Sequence, residues 1–179
     1  MPGLLPRLLT TEGRTGELLT QANVVKMLLP YISKDPMIGR HKLIKREKLV
    51  KIEREESDKL IFRNMFIDEK DVDIAEVVWN YFDAIRWRWP DGWNETASGH
   101  ILPRSIGFRA FMKFLRPAYL AEGSPGDIVS TERFTDIFQR VKIEDRDFVV
   151  DNFKPGSSGE AELYNWLMKE SGLLELFEG

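Results

Sequence analysis

Residues 71–93, DVDIAEVVWNYFDAIRWRWPDGW, decide the fold. Ile74, Val77, Val78, Tyr81, Phe82, Ile85 and Trp89 recur at steps of three and four, so a helix gathers them on one face. Asp68, Glu69 and Asp71 stand where the positive end of the helix dipole favours carboxylates. The spacing predicts a helix from Asp68 or Asp71 to Trp87. Pro90 ends it and Asp91-Gly92 supplies the turn. On the helical wheel Trp89 falls with the apolar face and Trp79 on its flank, whereas Trp87 points away. Trp89 and Trp93 then read as packing the helix end against the next loop. Trp87, beside Arg86, is the ring left over. An exposed indole and a guanidinium can both stack on a nucleic-acid base.

On the N-terminal side, Leu18, Ala22, Val25, Leu28, Leu29 and Ile32 also keep helical spacing, and Pro30 should kink or end that helix. Residues 1–16 hold Pro2, Gly3, Pro6, Gly13 and Gly16 and read as an extended arm. Residues 38–66 are charged and give no clean apolar face. They read as partly helical and solvated, with room for mobility.

On the C-terminal side, Phe108, Phe111, Met112, Leu115 and Tyr119 predict a helix from Arg104 to Leu115, broken at Pro117. Phe134, Ile137, Phe138 and Val141 predict another over Thr131–Val141. Residues 146–153 suit a short strand or a helical turn, and 160–167 a final helix. The expectation is a mainly α-helical chain: an irregular bundle of about five or six helices with an aromatic-rich core, residues 17–179 forming one domain.

Composition narrows the function classes. The chain has 179 residues, 42% of them apolar, enough for one domain with a core. It has no cysteine, which excludes disulfides, thiolate nucleophiles and cysteine-based zinc sites and fits a cytoplasmic setting. It contains no apolar run of membrane-spanning length. Net charge is −3, yet unevenly spread. Arg40, Lys42, Lys45, Arg46, Lys48 and Lys51 crowd together against a single acid, Glu47, while nine acids against three bases follow from Glu144 onward. A chain polarised this way can present one face to a polyanion. The same run also fits a solvated face, since Glu53, Glu55, Glu56 and Asp58 soon balance it.

No catalytic, cofactor or metal constellation can be assembled from spacing. His41 and His100 are the only histidines. A Ser98/His100 pair has no nucleophile-elbow context. GSSGE at 156–160 has glycines and hydroxyls before a helix start, as a phosphate cradle would, but lacks the Walker lysine. It reads better as a capping box, Ser157 to Glu160.

Four stretches carry a family likeness: TQANVVKMLLPYIS (20–33), DVDIAEVVWNYFDAIRWRWPDGWN (71–94), HILPRSIGFRAFMKFL (100–115) and DNFKPGSSGEAELYNWL (151–167). They resemble the C-terminal helical half of DGQHR-domain proteins, which include the regulator of bacterial DNA phosphorothioation and relatives in DNA-modification and phage-defence islands. The likeness covers roughly residues 17–170 and rests on mainly structural motifs. The Asp-Gly-Gln-His-Arg run itself does not occur here. The family's ParB/sulfiredoxin-like N-terminal half would also be missing from these residues, as in a fragment or in a stand-alone relative that kept only the helical half, so no activity of that half carries over.

The resemblance implies a non-enzymatic helical module acting in regulation, with double-stranded DNA or a protein as partner. For DNA the candidate contacts are Arg40, Lys42, Lys45, Arg46, Lys48 and Lys51, with Arg86 and Trp87 second. The alternative is a protein-interaction or oligomerisation domain, to which the apolar ends PGLLPRLL and LLELFEG would contribute.

Overall fold

The computed structural model of the chain describes residues 21–35, 37–38, 45, 49–95 and 97–177. The expected arm over 1–16 lies outside them. Helix α1, Gln21–Leu28, passes into a 3-10 turn, Leu29–Tyr31, where Pro30 lacks the N–H to continue the α-helical ladder. Then follow α2 (Arg54–Ser57), α3 (Arg63–Ile67), α4 (Asp71–Arg88), α5 (Pro90–Asn94), α6 (Ser105–Glu122), α7 (Thr131–Gln139), a 3-10 turn (Asp145–Asp147), α8 (Ser157–Glu170) and α9 (Leu174–Phe177). The described residues contain no strand, only one antiparallel bridge between His100 and Val149. The chain is thus an irregular helical bundle around buried aromatic rings, as its periodicity predicts.

Helix α4 packs along α7, and α6 along α8. The apolar face of α4 is buried over Ile74, Val77, Val78, Tyr81, Phe82 and Ile85. All four apolar residues expected to point inward from α7 and its exit, Phe134, Ile137, Phe138 and Val141, are fully buried. Trp89 lies at the centre: its indole centroid is 5.6 Å from Phe111, 5.5 Å from Phe138 and 5.2 Å from Phe148. Such ring pairs add about 0.5–1.5 kcal/mol beyond the area they bury. Trp89 Nε1–H donates to the Ile143 carbonyl at 2.7 Å, so the indole's polar atom is also satisfied. Arg88 lies over the same ring, 5.0 Å from its centroid, and donates to the carbonyls of Phe138, Val141 and Ile143.

Several local expectations are overturned by tertiary contacts. Pro90 does end α4, but it opens the short helix α5 rather than a turn at Asp91-Gly92. The Gly92 N–H donates to Asp145 Oδ1 at 2.6 Å, fixing α5 against the second 3-10 turn. Pro117 does not break α6, which runs on to Glu122. Ala118 and Tyr119 are buried beyond it. The Tyr119 hydroxyl lies 2.8 Å from the Asp127 carbonyl oxygen and accepts the Gly126 N–H at 3.1 Å. This anchorage outweighs the roughly 3 kcal/mol that an interior proline costs.

The capping box at Ser157–Glu160 does not form. The N-cap of α8 is Gly156, with φ +97°, and no side chain caps it. A capping box does form earlier in the chain, at the second 3-10 turn, between Glu144 and Asp147. Of residues 146–153, Arg146 and Asp147 lie in this 3-10 turn, while Val149 pairs with His100 in the antiparallel bridge. Lastly, the C-terminal part of the charged stretch 38–66 is core: Leu60, Ile61, Phe62 and Met65 are buried. Three of these enter the core from a turn, which leaves no helical period to read. The Phe62 N–H donates to the Tyr31 carbonyl at 3.0 Å, and its ring packs edge-on against Tyr31 and Tyr119.

Candidate nucleic-acid interface

Of the cationic run, Arg40, Lys42, Arg46 and Lys48 lie outside the described residues. Lys45 and Lys51 are exposed. Lys51 Nζ stands 2.6 Å from Asp68 Oδ1, an exposed ion pair worth at most about 1 kcal/mol and easily exchanged for another anion. The chain here is pinned to the bundle by two side chains of α3. Asn64 accepts the Ile52 N–H and donates to the Ile52 carbonyl, each at 3.0 Å. Arg63 donates to the carbonyls of Val50 and Ile32. These contacts hold the C-terminal end of the cationic run at the bundle surface.

A second cationic strip was not picked out from the sequence. In α6 the exposed residues of the first three turns are Arg109, Lys113 and Arg116. They stand at i, i+4 and i+7, so they share one face and span about 10 Å of helix axis at 1.5 Å per residue. Glu122, at the end, is the helix's only acid. Lys113 Nζ lies 2.6 Å from Glu160 Oε1 of α8. Among the described residues no carboxylate pairs with Arg109 or Arg116. The signal was present in RAFMKFLR, residues 109–116, where cations interrupt an otherwise apolar helix.

Arg86 and Trp87 are both exposed but are not brought together in one recess. Arg86 is folded back on Asp83, with Nη2 at 2.6 Å from Oδ1. Trp87 is 68% exposed and lines a shallow groove with Thr131, Glu132, Thr135, Asp136 and Gln139 of α7. Arg86 does not line this groove.

Compared with family models, curated proteins and solved structures, the chain matches none. The likeness to DGQHR-domain proteins therefore rests on the quoted motifs alone.

Elsewhere, His100 sits in the bridge to Val149, and its Nδ1 is buried without a hydrogen-bond partner. Among the described residues, no three His, Asp or Glu side chains are grouped to hold a metal ion, and no helix is long and apolar enough to cross a membrane. Three tyrosine hydroxyls bond to backbone carbonyls within the bundle. Tyr31 donates to the Met112 carbonyl, Tyr81 donates to that of Phe111 at 2.7 Å, and Tyr119 is bound as above. Burial pushes all three phenols up, Tyr119 to about 12.

Proposed function

We propose that this chain is a helical module that acts in regulation within a bacterial DNA-modification or phage-defence system, in the cytoplasm, by binding double-stranded DNA. Two things support the reading: the resemblance of its helical motifs, and the cationic solvent face of α6. The second carries it. Arg109 and Arg116 are side chains of a helix rigidly packed on α8, aimed outward without a carboxylate partner among the described residues. Such groups neutralise phosphates without reading sequence. Lys45 and Lys51 are two further exposed cations, the second paired with Asp68. The reading assigns no enzymatic chemistry to the chain.

The test is a gel-shift series across salt, with phosphorothioated and unmodified duplexes. Arg109→Ala with Arg116→Ala is expected to reduce the slope of log affinity against log salt by about 2, since each phosphate contact contributes about 0.9. A native chain without DNA affinity at low salt refutes the reading.

A second reading, self-association, draws on α9. Leu173 is buried on the chain's own core, but Leu176 and Phe177 are exposed beside it. Sedimentation across concentration separates the two: a concentration-independent monomer refutes self-association and leaves the DNA reading untouched.

A further inference from the structure

We propose that the groove around Trp87, between α4 and α7, is a docking site for an arginine- or lysine-bearing segment of a protein partner. This goes beyond the DNA reading, which uses other faces of the bundle.

Trp87 is the anomaly in its helix. Tyr81, Phe82 and, just past the C-terminus, Trp89 bury their rings, while the Trp87 indole stands in water. The wall facing it is preorganised. Asn80 donates to the Val129 carbonyl at 3.0 Å, and the Thr135 hydroxyl donates to the Thr131 carbonyl at 2.8 Å. The first bond ties α4 to Val129, just before α7, and the second, within α7, occupies the Thr135 hydroxyl.

The charge of the groove sets the chemistry of its occupant. Glu132, Asp136 and Gln139 stand at i, i+4 and i+7 on α7 and are all exposed. The Ser130 hydroxyl and the residue's own N–H hold the Glu132 carboxyl below the usual carboxylate range. The cations on these two helices are engaged elsewhere. Arg86 pairs with Asp83, Arg133 Nε donates to Glu122 Oε2 at 3.1 Å, and Arg88 is spent on three carbonyls. Among the described residues no ion pair involves Glu132 or Asp136. A phosphate at Trp87 would face two carboxylates. A guanidinium or ammonium would meet them with its charge while its alkyl stem or its face lies on the indole.

The test follows the Trp87 indole N–H by NMR, assigned by comparison with Trp87→Phe. The probe is acetyl-Gly-Arg-Gly-Arg-Gly-amide, against the same peptide with Gln for both arginines. We expect a saturable shift of the Trp87 signal with the arginine peptide and binding weaker by about tenfold with the glutamine peptide. Glu132→Gln with Asp136→Asn should weaken the arginine peptide about fivefold and flatten its salt dependence. Trp87→Ala should abolish peptide binding by calorimetry, with an unchanged melting temperature, and leave the DNA salt slope intact. The proposal is overturned if the arginine peptide leaves the Trp87 signal unmoved, if the glutamine peptide binds equally well, or if duplex DNA moves that signal. It is also overturned if Trp87→Ala changes the DNA slope. Failure of DNA binding itself bears only on the preceding reading.

Discussion

Glu160 Oε1 lies 2.6 Å from Lys113 Nζ, and the two side chains differ sharply in exposure: the carboxylate is nearly buried, the ammonium half in solvent. The pair bridges α8 to α6 at the middle of the cationic strip. It therefore stabilises the packing of the two helices while cancelling the central charge of Arg109, Lys113 and Arg116.

Glu160→Gln is expected to move stability and DNA affinity in opposite directions. Losing a charge-assisted hydrogen bond at a mostly buried acceptor should cost about 1–3 kcal/mol. Freeing Lys113 should tighten DNA binding and steepen its salt dependence by about 0.9. Urea unfolding and a salt-series gel shift measure the two effects on the same protein.

Trp89→Phe keeps a ring at the centre of the core but removes the donor to Ile143. The expected loss is about 1–3 kcal/mol, from the lost indole hydrogen bond and the missing volume, while the Ile143 carbonyl keeps its longer bond from Arg88 at 3.2 Å. Trp89→Ala should cost about 3–5 kcal/mol. The midpoint of chemical denaturation, followed by circular dichroism, checks both.

The start of α8 separates two kinds of glycine requirement. A Cβ at Gly159 would run into the Lys154 carbonyl oxygen, so the backbone itself must move. Gly159→Ala should cost more than about 2 kcal/mol. Gly156 has open space around it but φ +97°, so Gly156→Ala should cost only about 1–2 kcal/mol, from backbone strain. Thermal melts of the two variants should rank in that order.

Alkaline pH should destabilise the bundle through its buried phenols. Folding raises the Tyr119 pKa from 10.0 to about 12, and Tyr31 and Tyr81 shift in the same direction. Their contribution is fully present below pH 10, the unfolded value. It is lost as pH rises through 10 to 12, because the unfolded chain releases these protons first. Unfolding free energy measured across this range should fall steeply, and less steeply in Tyr119→Phe.

The parts of the fold legible in the sequence are those where one helix face does the burying. The α4 stripe from Ile74 to Ile85 and the α7 stripe from Phe134 to Val141 are read directly from spacing, because period and burial coincide. Local rules failed where a distant residue intervened. Pro117 is tolerated because Tyr119 is held by the 124–127 loop. Glu160 is taken from its own helix start by Lys113, which is 47 positions earlier. Leu60, Ile61 and Phe62 are core residues without a period, because they arrive on a turn. The α6 cations were legible in principle, yet an apolar stripe draws attention to the face opposite the one that meets the solvent.

The clamp on the 138–143 segment bears on how the chain matures during translation. Arg88 and Trp89 find their carbonyl partners some fifty residues later, with Trp89 and Ile143 separated by 54 positions. Until that segment and Phe148 have left the ribosome, the growing polypeptide carries an indole that is exposed to water rather than enclosed by its final partners. The nascent protein thus depends on a segment made some fifty residues later to conceal the ring at the centre of its core.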